Sequence, residues 1–96
     1  MLHIALFTWH DHVTPDEVAE ITVALRALPE QIEALQRYEV GPDLGINPGT
    51  ADFAVVAQVA DEAGLRAYLD HPAHTAVTAK MKDMIAQRAA AQVEAR

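Results

Sequence analysis

Tyr68 and His74 stand on either side of the pair His71-Pro72. An imidazole titrates near neutrality, and a phenol beside it can orient the ring or stabilise an enolate. In that pairing His74 is the base and Tyr68 its orienter, and the chemistry is proton transfer that needs no cofactor. The competing expectation is structural: Tyr68 packs in the core with its hydroxyl satisfied, and His74 supports the opening of its helix. His3 lies on an alternating strand, where a hydrogen-bonded core or pocket histidine is expected before a base. His10-Asp11-His12 and the i, i+3 pair His71 and His74 have ligand types in them. A catalytic metal, however, wants three converging protein ligands, so no metal site is expected. Phe7, Trp9 and Phe53 are candidates for the wall of a ligand cavity, with plain core packing as the other reading.

The composition removes several function classes. Seven Lys and Arg against fourteen Asp and Glu give a formal net charge of -7, a field that repels phosphate backbones and anionic lipid. Nucleic acid and membrane are therefore not expected as partners. The chain has no Cys, which excludes a disulfide framework and thiolate metal ligation. No Gly-rich phosphate loop, nucleotide fingerprint or Ser/His/Asp order is present, and no cofactor is expected. The 96 residues suit one domain spanning 1–96, given that domains usually run to about 100–150 residues. The N-terminal run Met1 to Phe7 has no basic leader, and no apolar run approaches the roughly 20 residues of a membrane span, so a cytoplasmic protein is expected. A hydrophobic content of 51% is high for a small domain and hints at apolar surface buried between subunits.

The elements that must position these residues follow from pattern. Leu2 to Trp9 reads as a strand with His3, Ala5, Phe7 and Trp9 on one face and Ile4, Leu6 and Thr8 on the other. Thr14-Pro15-Asp16-Glu17 combines a capping Thr, Pro at the first helical position and Glu three residues on, with Val13 and Val18 as a hydrophobic staple. The helix they open carries Val18, Ile21, Leu25 and Leu28 on its buried side and closes at Pro29. Leu35 to Val40 alternates as a second strand, with Tyr38 and Val40 on one side, ended by Gly41-Pro42. Gly41 to Thr50 is too rich in turn residues for a regular element and is expected as a loop that forms a lid or a rim. Asp52 to Val59 is the clearest strand. Asp61 caps a short helix bearing Leu65, Tyr68 and Leu69, which must stop near His71 because the residue before Pro72 disfavours the α region. A further helix restarts at Pro72 and, by spacing, carries Val77, Met81, Met84, Ile85 and Arg88. Alanine propensity would prolong it to the end. A fourth strand over about 89–94 instead completes a split βαβ arrangement, and that is the expectation adopted.

His3 on the first strand, the loop Gly41-Pro42-Asp43-Leu44-Gly45, the strand Asp52-Phe53-Ala54-Val55-Val56 and the run Ala67-Tyr68-Leu69-Asp70-His71-Pro72-Ala73-His74 together resemble the stress-responsive A/B barrel (Dabb) family. The resemblance implies an α+β, ferredoxin-like four-stranded antiparallel sheet with helices on one face. It also implies that this sheet pairs with that of a second copy into a dimeric α+β barrel, with the C-terminal strand helping to join the two. Family members include proteins without settled chemistry as well as plant polyketide cyclases, in which a Tyr and a His on the matching motif act as a catalytic pair. Tyr68 and His74 fall on those positions, and His3 matches a pocket histidine. Phe53 stands where the cyclases have a further His, and Leu25 where they have a Tyr. What the resemblance implies for function is a homodimer that binds a small apolar carbonyl compound, with cyclase-like or isomerase-like proton transfer. The alternative is a structural or ligand-binding dimer without turnover.

Overall fold

The computed structural model describes residues 1–96. Strand β1, Leu2–Trp9, alternates as its sequence dictates: His3, Ala5 and Phe7 are buried, and Leu2, Ile4, Leu6 and Thr8 lie on the opposite, more open face. Helix α1, Pro15–Arg26, begins in a full capping box. The Thr14 hydroxyl accepts the Glu17 N–H at 3.2 Å, and the Glu17 carboxylate accepts the Thr14 N–H at 3.0 Å. Caps of this kind stabilise a helix by about 1 kcal/mol. Ile21 and Leu25 bury the stripe the spacing called for. The helix ends earlier than Pro29, at Arg26, and a 3₁₀ turn over Leu28–Glu30 places Leu28 in the core.

Strand β2 spans Arg37–Pro42, so Gly41-Pro42 extends the strand that it was expected to end. Both pair with β3, Gly41 with Ala54 and Pro42 with Phe53. A proline is tolerated there because β2 is an edge strand, where the N–H that Pro lacks has no ladder partner to lose. Gly41 also leaves room above the strand, since a Cβ there would meet Arg26 Nη2 at 3.2 Å. Arg26 uses that room to donate from Nε and Nη2 to the Val40 carbonyl at 3.3 and 3.1 Å. A cation laid along the outer strand in this way blunts the edge against further pairing.

Strand β3 is Phe53–Gln58, helix α2 Glu62–Leu69 and helix α3 Pro72–Met81. Asp61 caps α2 through the Gly64 N–H at 2.9 Å. The end of α3 corrects the sequence reading. Met84, Ile85 and Arg88 do not prolong the helix, which stops at Met81, and strand β4 runs Ile85–Val93, longer and earlier than 89–94. The reason is tertiary. β4 pairs with β1 from Leu2 opposite Val93 to Trp9 opposite Ile85, and without it the second edge of β1 would leave a row of backbone groups unpaired. That requirement outweighs the helical preference of the alanines.

The sheet order is β2-β3-β1-β4, with every neighbouring pair antiparallel. With α1, α2 and α3 covering one face, this is the ferredoxin-like arrangement. No helix is long and apolar enough to cross a membrane. The core between sheet and helices gathers Phe7, Phe53, Val55, Leu25, Leu65, Tyr68, Val77 and Met81. The turn-rich segment lies over 43–52 and is tied by Asp43, whose carboxylate accepts the Gly45 N–H and the Thr50 hydroxyl, each at 2.9 Å. Gly45 and Gly49 have φ of 71° and 84°, a left-handed conformation that only glycine adopts without penalty.

Candidate functional site at the junction of the second and third helices

Pro72 forces the break between α2 and α3, and the break sets two side chains against the sheet. Tyr68 closes the last turn of α2 at 2% exposure, and His74 opens the first turn of α3, partly buried. Their rings are in contact, with centroids 4.4 Å apart at 50°. His3 of β1, 4% exposed, meets Tyr68 edge-on with centroids at 6.2 Å. Tyr38 of β2 completes the group at 5.7 Å from Tyr68. Every buried side-chain polar atom has a partner, so the hydrogen bonds define the state of each ring.

His74 Nδ1 lies 3.0 Å from the Leu69 carbonyl. A carbonyl can only accept, so Nδ1 carries the proton and Nε2 holds a lone pair in the neutral ring. His71 caps α3, its Nδ1 accepting the Ala73 N–H at 3.0 Å. His3 has the opposite tautomer: Gln92 Nε2 donates to its Nδ1 at 2.7 Å, which leaves the proton on Nε2. The Tyr68 hydroxyl meets the Tyr38 hydroxyl at 3.0 Å. The orienter of His74 is therefore the Leu69 carbonyl, and Tyr68 is engaged with Tyr38. In a pair of hydroxyls one proton bridges the oxygens and the other has no protein acceptor, so the pair retains one free donor.

The electrostatics keep all four rings neutral. Burial lowers the pKa of His74, the Leu69 bond opposes that, and Arg88 and His71 add to the lowering. Burial also lowers His3, with help from Arg88 and His74. Both tyrosines are pushed upward, chiefly by burial. Near pH 7 the cluster thus presents one free imidazole lone pair, on His74 Nε2, with N–H and O–H donors on His3 and the tyrosine pair.

The other candidate residues lie elsewhere. Phe7 and Trp9 stack with centroids 5.9 Å apart at 4°, and Trp9 leans on Phe53 at 5.5 Å. They occupy the end of β1 opposite to His3, on the order of 13–20 Å away at the rise of a strand. The 43–52 segment joins that same end, since the Asp52 carboxylate accepts the Trp9 N–H at 2.8 Å and the Asp52 N–H donates to the Phe7 carbonyl. It is a rim beside the aromatic stack and does not cover His74. His10 and His12 stack on each other at 5.5 Å in an exposed turn, and no group of three His, Asp or Glu side chains is gathered to hold a metal.

A groove of about 740 Å³ opens beside α1 and is lined by Trp9, Val13, Val18, Arg26 and Pro42 among others. Tyr68 and His74 line none of the five main cavities. Tyr38 and Gln92 join the cluster without having been singled out as site residues from the sequence. Only the register could have found them: Tyr38 stands opposite Ala57, which stands opposite His3, and His3 stands opposite Gln92.

The sheet order and helix placement define a ferredoxin-like α+β protein. The chain belongs to the stress-responsive A/B barrel domain family, whose model matches residues 1–95. Over 83 residues it is 39% identical to an uncharacterized protein of Streptomyces coelicolor, covering 84% of this chain and 86% of that one. A dimeric ferredoxin-like protein of unknown function from Thermobifida fusca superimposes with a TM-score of 0.88 at 50% identity, over 94% of this chain and 85% of that one. Another dimeric protein of unknown function with the same fold, from Bacteroides fragilis, gives 0.79 at 28% identity, over 94% and 90% of the two chains.

Proposed function

We propose that the protein is a homodimer that binds a small carbonyl compound at the α2–α3 junction and transfers a proton there without a cofactor. The observation that carries this reading is the fixed tautomer of His74, whose Leu69 bond leaves Nε2 as the one free imidazole lone pair beside the His3 N–H and the tyrosine hydroxyls. In the proposed step Nε2 takes a proton from the carbon next to the carbonyl. The electron pair moves onto the carbonyl oxygen, and the free O–H of the Tyr38–Tyr68 pair donates to the enolate that forms. Return of the proton to another atom gives isomerisation, and attack of the enolate on a second carbonyl gives cyclisation. A core that only had to pack would gain nothing from two histidines and two tyrosines in one place, because burying polar groups costs stability unless each is hydrogen-bonded.

Dimerisation is supported by the dimeric relative at 50% identity and by the open face of the sheet. Ile4, Leu6, Ala54, Val56, Ala89 and Ala91 share that face by register and form an apolar surface without helix cover.

The packed interior favours a second reading, in which the dimer has no turnover and the cluster is structural, since none of the main cavities reaches Tyr68 or His74. Proton exchange separates the two. The protein is incubated in D₂O with a panel of ketones and β-diketones, and loss of the α-proton signal is followed by NMR for wild type and His74→Ala. Exchange above buffer that disappears in the variant supports the enzyme; no exchange with any compound leaves the structural dimer.

A further inference from the structure

Residues facing each other in an antiparallel pair share a face, so the register fixes which side chains stand on the side of the sheet away from the helices. That face carries charge only at its β2 margin, in Arg37 and Glu39, one of each sign. The 43–52 segment walls it. A groove of about 510 Å³ is lined by Leu6 and Ala54 from the sheet and by Leu44 and Thr50 from the segment. The segment is fastened to itself: the Asp43 N–H donates to the Asp52 carbonyl at 2.9 Å, and the Asp43 carboxylate holds Gly45 and Thr50. Its two large apolar side chains, Leu44 and Ile46, are nevertheless 85% and 80% exposed. Among the exposed large apolar residues of the chain Val23 stands apart on α1, while Leu6, Val93, Leu44 and Ile46 lie on the open face or on the segment beside it. Apolar residues scattered singly need no explanation, whereas several gathered on one face and its rim mark an interaction surface.

We propose that the 43–52 segment is a clasp of the homodimer, Leu44 and Ile46 of each copy closing over the open sheet face of the other. The inference rests on the homodimer proposed above and deepens it by giving this segment a place in the interface. Three observations choose a second copy as the occupant. A relative at 50% identity is dimeric. The groove is continuous with the apolar face assigned to the dimer, sharing Leu6 and Ala54 with it. Two chains of net charge -7 repel each other, but a face whose two charges cancel brings its like together with the least repulsion. A two-fold interface is self-complementary, so each copy both supplies a clasp and receives one. Internal hydrogen bonds hold the segment in shape before it docks, which limits the ordering entropy lost on association.

The test is subunit exchange of the full chain. ¹⁵N-labelled and unlabelled protein are mixed, and the appearance of mixed dimers is followed by native mass spectrometry. The double variant Leu44→Ser/Ile46→Ser, checked for native circular dichroism, is expected to exchange at least ~10-fold faster than wild type or to run as a monomer, the scale of losing one fully buried leucine-sized side chain. Leu44→Met/Ile46→Val should keep the slow exchange, and Val23→Ser, which removes an exposed apolar residue from α1, should exchange as wild type does. Acceleration of the Ser double variant short of ~10-fold, or an equal acceleration in Val23→Ser, would overturn the clasp and leave the homodimer standing. A wild-type chain that is monomeric would overturn the homodimer, and this inference with it.

Discussion

Replacing Tyr38 with Phe deletes one hydroxyl and leaves the Tyr68 hydroxyl, at 2% residue exposure, without the partner it meets at 3.0 Å. A buried hydroxyl stripped of its partner costs about 1–3 kcal/mol, whereas removing both members and keeping the ring volumes is close to neutral. Tyr38→Phe and Tyr68→Phe should therefore each destabilise by about 1–3 kcal/mol. The double variant should lose much less than their sum, with a coupling of at least about 1 kcal/mol. For a domain of this size 1 kcal/mol corresponds to a Tm change of about 4–8 °C. The assay is urea unfolding of the four proteins at one fixed protomer concentration, because the stability of a dimer depends on concentration. Single losses that add to within about 0.3–0.5 kcal/mol would refute the hydroxyl pair as a linked unit. The free donor that the proposed chemistry uses would then have no basis.

Two further outcomes follow from the same geometry. The native pKa values of His3 and His74 lie below the ordinary 6.5 of the unfolded chain, so the unfolded state binds more protons as the pH falls. Stability should be full above about pH 6.5 and decline below it, levelling off under the depressed native values, with a slope of up to about 1.4 kcal/mol per pH unit for each histidine. Melts between pH 5 and 8 check this: the decline should weaken in His3→Gln and His74→Gln, and a flat profile in wild type would contradict the burial of neutral rings. On the open sheet face, Leu6 is 40% exposed between Ala54 and Ala89. Leu6→Asp should shift the protein from dimer to monomer in light scattering after gel filtration, because a buried unpaired carboxylate costs several kcal/mol; an unchanged dimer would place the interface elsewhere.

The limits of the sequence show at particular residues. The strand Leu2–Trp9 and the capped start at Thr14 were legible because alternation and the capping box are local signals. So was the break at His71-Pro72, where proline restricts its neighbour. The end of α3 was misplaced because Met84, Ile85 and Arg88 continue the helical spacing of Val77 and Met81, and alanine propensity agrees with it. Only the unpaired edge of β1 decides for a strand from Ile85. Pro42 was taken as a terminator because an edge position, which tolerates it, is a property of the assembled sheet.

The candidate site divides along the same line. Sequence spacing alone placed Tyr68 and His74 on either side of a helix break. The family resemblance added His3 to their pocket. The chain by itself also determined the elements and the chemical types available. Tertiary structure decided that Tyr68 bonds Tyr38 and not His74, that the Leu69 carbonyl sets the tautomer of His74, and that Gln92 comes alongside His3 from the last strand. These contacts join residues on β2, α2, α3, β1 and β4. Their alignment depends on strand register, which pairs residues far apart in sequence and is set by the fit of whole faces, not by any local pattern.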